Sequence, residues 1–237
     1  MVANQYVTDS DFRQDLNSAW ITGSKRIFSH DTFHELTWER QSCMIYRLPS
    51  GFVECLDIFT DKLLTIIEDI QSFQTFRDSH SFCSSDLLSI HHIDNQQASI
   101  ESRLHNLREQ LDETDYIVDC CIIAAYLCIY VMYTSIWESH IIPNHCSSQI
   151  LRNLQKSRFD SRWIGKEALL TWMIYLGGSF APLGVIRSEY AVLITGTYAE
   201  HVESFSKTWN TLEKCLKRFL WSNAFSSRCR ELWEETV

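Results

Sequence analysis

The chain is poor in residues that end helices: its 237 residues include only seven glycines and three prolines. That leaves little material for the tight turns of sandwiches and barrels and favours helices joined by few turns. No C-x-x-C pair occurs among the nine cysteines, which stand at 43, 55, 83, 120, 121, 128, 146, 215 and 229. This absence excludes zinc ribbons, thioredoxin-like redox sites and zinc binuclear clusters. The odd count, with Cys120, Cys121 and Cys128 in an apolar run, fits reduced, buried thiols in a nuclear or cytosolic protein. There is also no block of Lys and Arg. The formal net charge is -9, and the nearest thing to a basic patch, Lys214, Lys217 and Arg218 beside Glu213, reads as a solvated helix face. A DNA-binding module needs a basic face, so direct DNA binding by this chain is not expected. The N-terminus has neither a basic region nor an apolar run, so no secretory signal is expected.

What is present is material for a core. Hydrophobic residues make up 45% of the chain and aromatics 13%, the composition of a packed globular protein of one domain or at most two. The stretch from Cys120 to Trp137 is uncharged and nearly as long as a membrane span. Asp112, Glu113, Asp115 and Asp119 precede it, Glu138 follows, and no Lys or Arg stands near enough to orient it in a bilayer. A helix apolar all round is also what a large core produces. The reading is therefore all-α: a single irregular multi-helix domain around a buried apolar helix at about residues 115–137, with no membrane span.

Taken in order, residues 1–45 read as a polar helical segment. Asp9 or Ser10 caps a helix carrying Phe12 and Leu16, and a second short helix runs from His34 to Tyr46. From Ser50-Gly51 a longer helix should carry Phe52, Leu56, Phe59, Leu63, Ile66, Ile70 and Phe73 on one face. The Ser-, His- and Asp-rich run 80–95 reads as a loop with one turn at Leu87-Leu88, after which Asp94 caps a helix with the face Ile100, Leu104, Leu107 and Leu111. Pro143-Asn144 should break off the central helix, and Ser147 or Ser148 should start a short one carrying Ile150, Leu151 and Leu154. The remainder reads as a helix over 166–179, a Pro182-Leu183-Gly184 turn, a helix to about Phe205, another from Thr208 to Trp221, and a last turn at Arg230–Glu235.

Several clusters look chemical, and each has a plainer reading. His30 and His34 are four apart with Asp31 between, as zinc-binding histidines on a helix are, but a third ligand is missing. His91, His92 and Asp94 could converge only in a loop, and a solvated loop explains them. Asp112-Glu113-Thr114-Asp115 is similar to the aspartate-rich magnesium motif of helical terpene cyclases. No second metal motif follows, and acidic residues suit a helix start. Gly177-Gly178 lacks the strand and Lys of a phosphate loop and reads as close helix packing. Trp163, Trp172, Tyr175, Tyr190, Trp209, Phe219, Trp221 and Trp233 recur at helical spacing, as a core or as the lining of an apolar pocket. No catalytic, cofactor-binding or metal-binding residue is assigned, and no cofactor is expected.

The segment from Ala168 to Trp233 organises the rest. Trp172 lies in an apolar helix, Gly177-Gly178 ends it, Arg187 opens the next, Trp209-Asn210-Thr211-Leu212 and Leu220-Trp221 follow, and Leu232-Trp233 closes the chain. With Leu48-Pro49-Ser50-Gly51-Phe52 and the Ile100 to Leu111 helix, this pattern resembles the C-terminal part of the fungal-specific transcription factor domain, over roughly residues 46–237. That family's domain is the regulatory region following a zinc binuclear cluster. The resemblance implies an all-helical, non-catalytic module in the nucleus, acting through protein partners (transcription machinery or a dimer partner) or a small apolar ligand, and serving a secondary-metabolite gene cluster. The zinc cluster and the first part of the usual domain have no counterpart here, as in a truncated regulator or a free-standing derivative. The alternative is an enzyme built on the same scaffold, cyclising or isomerising a hydrophobic metabolite with Asp112, Asp115, His91 or His92 as acid or base. An aromatic pocket holding a titratable group with a perturbed pKa would favour the enzyme.

Overall fold

The computed structural model describes residues 9–28, 40, 45–77, 87–133 and 141–237. Among these residues there are eleven α-helices and no strand, so the chain is all-α. In order they are α1 (Asp9–Thr22), α2 (Ser50–Val53), α3 (Asp61–Arg77), α4 (Leu87–Glu109), α5 (Tyr116–Tyr133), α6 (Ile141–Lys156), α7 (Glu167–Ser179), α8 (Val185–Val192), α9 (Ala199–Ser206), α10 (Trp209–Leu216) and α11 (Ser226–Thr236). The expected central helix is α5. Every residue from Cys120 to Ile129 is fully buried, because α3, α4, α6 and α7 pack around it. Each buried Ile or Leu among them contributes about 1.5–3 kcal/mol relative to exposure, so α5 is a large share of what holds the fold. Among the described residues no helix is long and apolar enough to cross a membrane.

Around that hub the helices differ from the sequence reading at their ends. The long helix expected from Gly51 onward is two: α2 closes after one turn, and α3 restarts at Asp61. The Thr60 hydroxyl accepts from the Leu63 amide at 3.4 Å, and Asp61 adds a negative charge at the new N-terminus. Leu56, assigned to the buried face, is 52% exposed in the intervening turn. The loop expected over 80–95 is helical from Leu87, so Asp94 lies inside α4 and does not cap it. Cap preference is a weak prior, and here tertiary packing overrides it. Asn95, Gln97, Ser99, Glu101 and Ser102 are all buried, with Gln97 donating to Glu101 at 2.6 Å.

Pro143 does not precede a later helix start; it sits in the first turn of α6, which begins at Ile141. A proline there has no intrahelical hydrogen bond to lose. The helix expected through Ile194 to Phe205 is interrupted by one wide turn, Leu193–Thr197, closed by the Tyr198 amide on the Leu193 carbonyl at 2.8 Å. The extra residue lets Tyr198 reach the Leu154 carbonyl at 2.7 Å. Gly184, at the entry to α8, has φ of 114°, a conformation open to glycine. The helix expected to reach Trp221 stops at Leu216, and the last turn is a full helix, α11, burying Cys229 and Leu232. At the other end, α1 packs on α4 and α6, and its Phe12, Leu16 and Trp20 belong to the same core as α5. The capping side chains proposed at Asp9 and Ser10 and the His30/His34 pair lie outside the described residues; of the helix proposed from His34 to Tyr46 only residues 40, 45 and 46 are described, and none of the three is helical.

Candidate functional site

Of the positions that carry the family resemblance, those around α7 form two contact sets, one at Trp172 and one at Gly178, while the Ile100 to Leu111 stretch lies on and just beyond α4, away from both. Trp172 donates its indole N–H to the Leu220 carbonyl at 3.1 Å and stacks on Phe219 with ring centroids 5.4 Å apart. Phe52 packs edge-on against both rings, and the Gly51 amide donates to the Arg218 carbonyl at 2.7 Å. The Leu48–Phe52 stretch is thereby docked on the C-terminal segment. Arg187 is buried, donating to the Gly178 carbonyl at 2.6 Å and in a fork to both Glu235 oxygens at 2.8 and 3.1 Å. It ties the end of α7 to α8 and α11, where a cation suits the negative helix terminus. Gly177 and Gly178 allow the contact: a Cβ on Gly178 would lie 2.6 Å from Leu232, and one on Gly177 would lie 2.8 Å from Ile150.

The aromatic series is core. Trp172, Tyr175 and Tyr190 are fully buried, and Trp163, Phe219 and Trp221 nearly so. Four of their polar ends go to backbone: Trp163 to the Ser157 carbonyl at 3.0 Å, Trp172 to Leu220 at 3.1 Å, Tyr190 to Ser147 at 2.7 Å, and the partly exposed Trp233 to Ser206 at 2.7 Å. The Tyr175 hydroxyl and Trp221 Nε1 are buried without a hydrogen-bond partner among the described residues. None of these aromatics lines either of two clefts formed by described residues.

Both clefts flank α4. Residues 103, 106, 107 and 110 share one of its sides and residues 105, 108 and 109 another, by the three- and four-residue spacing of a helix. The first cleft, about 390 Å³, lies between α3 and α4 and is lined by Asp61, Lys62, Thr65, Ile66, Arg103, Asn106, Leu107 and Gln110. Behind it Arg103 is anchored on Asp69 at 2.8 Å, and Arg40 binds the same carboxylate at 2.9 Å. Burial pushes the Asp69 carboxyl up while the two guanidiniums oppose it.

The second cleft, about 280 Å³, lies where α1 crosses α4 and α6. Ala19, Trp20, Ile21, Thr22, Gly23, His105, Arg108, Glu109, His145 and Gln149 line it. Trp20 stacks on Tyr126 with centroids 3.9 Å apart and meets His105 edge-on at 5.7 Å. The Arg108 guanidinium lies 5.1 Å over the Trp20 ring while its fork holds Asp119 at 2.6 and 3.3 Å. His105 Nδ1 stands 3.7 Å from Glu109. Burial lowers the pKa of His105 against the pull of Glu109, and burial with Arg108 lowers that of His145. Two histidines held toward the neutral form beside a carboxylate and an indole make this the chemically richest place on the described surface. Nothing in the sequence reading singled it out.

The acidic cluster takes the capping role. The Asp112 carboxylate accepts from the Thr114 amide at 2.8 Å and hydroxyl at 2.6 Å. Asp115 accepts from the Val118 amide at 3.4 Å and from Arg162 at 2.9 Å. His91, His92 and Asp94 fall on α4, but their side chains lie outside the described ones. Among the described residues no group of three His, Cys, Asp or Glu side chains could hold a metal ion. Lys217 pairs with Glu213 at 3.1 Å on a solvated face. Comparison with protein-family models, with curated proteins and with solved structures finds no match for this chain.

Proposed function

We propose that the chain is a transcription-regulator-like helical module of the fungal type, lacking its own DNA-binding cluster. It acts in the nucleus through protein partners or a small-molecule ligand, in the control of a secondary-metabolite gene cluster. One observation carries the reading. Residues scattered over the sequence that bear the resemblance pack on α7 in two contact sets: Trp172 with Leu220 beside the Gly51–Arg218 bond, and Gly178 with Arg187 and Leu232. A net charge of -9 supports action through partners in place of phosphate contacts. The test is to tether the full chain to an unrelated DNA-binding domain and follow a reporter beside the tethering site, with a fluorescent fusion reporting location. A change in reporter output and nuclear accumulation are expected. Unchanged output together with exclusion from the nucleus refutes the reading.

The enzyme alternative keeps one point in its favour. The α1–α4–α6 cleft combines an aromatic with two histidines of lowered pKa beside Glu109. It loses Asp112 and Asp115 as acid–base candidates, since a turn, a helix cap and Arg162 occupy their carboxylates.

A further inference from the structure

Between Glu167 and Glu200 the chain carries only two charged residues, Arg187 and Glu189. For α7, which is buried, that is expected. For α8 it is not, because a surface helix normally turns charged residues to water on the side away from its apolar stripe. α8 buries Arg187 and Tyr190, yet its outer side is apolar as well. Leu183, at its entry, is 89% exposed, Val185 73% and Val192 61%. Val185, the exposed Ser188 and Val192 follow one another at spacings of three and four, so they share one face. Neither charged residue serves that face. Arg187 is held by Gly178 and Glu235, and Glu189 accepts from the Gln155 amide group at 2.8 Å, which draws it toward α6.

Charge and spacing point to what covers this face. Each copy of the chain carries a net charge of -9, so two copies repel, and they approach at least cost where the surface has no free charge. Val185 and Val192 stand symmetrically about the peptide between Ser188 and Glu189. Two α8 helices crossing antiparallel on a two-fold axis there set Val185 of each copy against Val192 of the other, the self-complementary pattern of an isologous interface. The face is also ordered in advance. Arg187 ties α8 to α7 and α11, and the Tyr190 hydroxyl donates to the Ser147 carbonyl of α6 at 2.7 Å, so little freedom is lost on contact. Two helices of eight residues bury less than the ~800 Å² per partner of a standard interface, which makes the pairing weak and concentration-dependent.

We infer that the outer face of α8 is the contact surface of a weak homodimer, in which Leu183 and Val185 of one copy pack against Val192 of the other across a two-fold axis beside Ser188. The inference deepens the protein-partner part of the regulatory reading and fails separately from it. Reporter output from a chain that stays monomeric removes only the dimer, and a dimer without reporter output removes only the reading.

The test is sedimentation equilibrium of the full chain from about 5 to 500 µM, the range of a weak interface. The average mass should rise with concentration from the 27.8 kDa of one copy toward twice that, and added salt should strengthen the rise by screening the two negative copies. Val192→Lys sets a cation against the apolar face of the other copy and should weaken association about tenfold or more. Val185→Glu should do the same. An equimolar mixture of these two variants should associate again, because the antiparallel pairing sets the new lysine opposite the new glutamate. Ile27→Lys changes an apolar side chain that is 81% exposed after α1 and should leave association as it was. Circular dichroism establishes that each variant is folded. The assignment is overturned if the chain is monomeric throughout the range, or if Val192→Lys associates like the parent. It is equally overturned if Ile27→Lys weakens association as much, or if the mixture of variants stays monomeric.

Discussion

Gly177→Ala would add a single methyl group where α7 meets α6 and α8, and the sign of its effect separates packing from propensity. In a helix interior, alanine in place of glycine stabilises by about 1 kcal/mol when the space is open. Here the new Cβ would stand 2.8 Å from Ile150 Cγ2 and overlap the hydroxyl end of Tyr190. Tyr190 is fully buried and gives its hydroxyl hydrogen to the Ser147 carbonyl at 2.7 Å, so its ring cannot retreat without breaking that bond. Overpacking costs about 1–3 kcal/mol, and a displaced buried hydroxyl about 1–3 more. Set against that gain, the balance is a net loss of about 1–5 kcal/mol, which for a chain of this size lowers the melting temperature by roughly 2–20 °C. Gly196 serves as the control. A Cβ there meets nothing within 4 Å, and its φ is not in the left-handed range, so Gly196→Ala should be neutral or raise stability by up to about 1 kcal/mol. Thermal and urea unfolding of the two variants beside the parent decide it. If Gly177→Ala melts at or above the parent, or if both variants fall equally, the close crossing of these helices is wrong.

Other outcomes follow from the same structure. Arg187→Met keeps the buried stem and removes the guanidinium, which should cost about 2–4 kcal/mol in urea unfolding, chiefly the charged bond to the Gly178 carbonyl. Glu235→Gln should cost under about 1 kcal/mol, since its carboxylate is half exposed. His105 faces Glu109, Arg26, Arg108 and Asp15, and burial holds its folded pKa below the ordinary value near 6.5. Its contribution is therefore present above about 6.5 and lost as pH falls from there through the lower folded value. The urea midpoint should begin to drop as pH falls below about 6.5, and His105→Asn should shrink that drop. The seven described cysteines are buried, with burial pushing Cys55 up to about 11 and Cys146, Cys215 and Cys229 up to about 12. They should react with a maleimide at neutral pH only after unfolding, and mass spectrometry of the native labelled protein checks this.

The core was legible because it is written in apolar periodicity. The α5 run from Cys120 needs no partner to be recognised as central, and Phe52, Leu63, Ile66, Ile70 and Phe73 are all buried as their spacing requires. The ends were less legible because they depend on single polar bonds. Thr60 caps α3 with its hydroxyl, while Leu56, which fits the stripe, is exposed. Pro143 looked like a breaker only because its place relative to the start of α6 was unknown. Gly177-Gly178 and the acidic cluster before α5 were read correctly as packing and capping, since both roles follow from local chemistry.

The α1–α4–α6 cleft escaped notice for a different physical reason. The Ile100, Leu104, Leu107 and Leu111 stripe assigns the rest of α4 to solvent, and on that rule Glu101, Ser102 and His105 should be wet. They are buried because α1 crosses that side, bringing Trp20 over His105 and Asp15 to the backbone amides of Ile27 and Phe28 at 3.0 Å each. The amphipathic pattern of one helix records which side is apolar; it does not record which polar side a second helix will cover. Desolvation, which holds His105 and His145 toward their neutral forms, arises only from that crossing. A trace survives in the sequence: Trp20 closes a stripe of Phe12, Leu16 and Ala19 on a segment otherwise polar. Such a stripe must lie on something, and among the described elements it lies on α4 and α6, with Trp20 stacked on Tyr126 of α5.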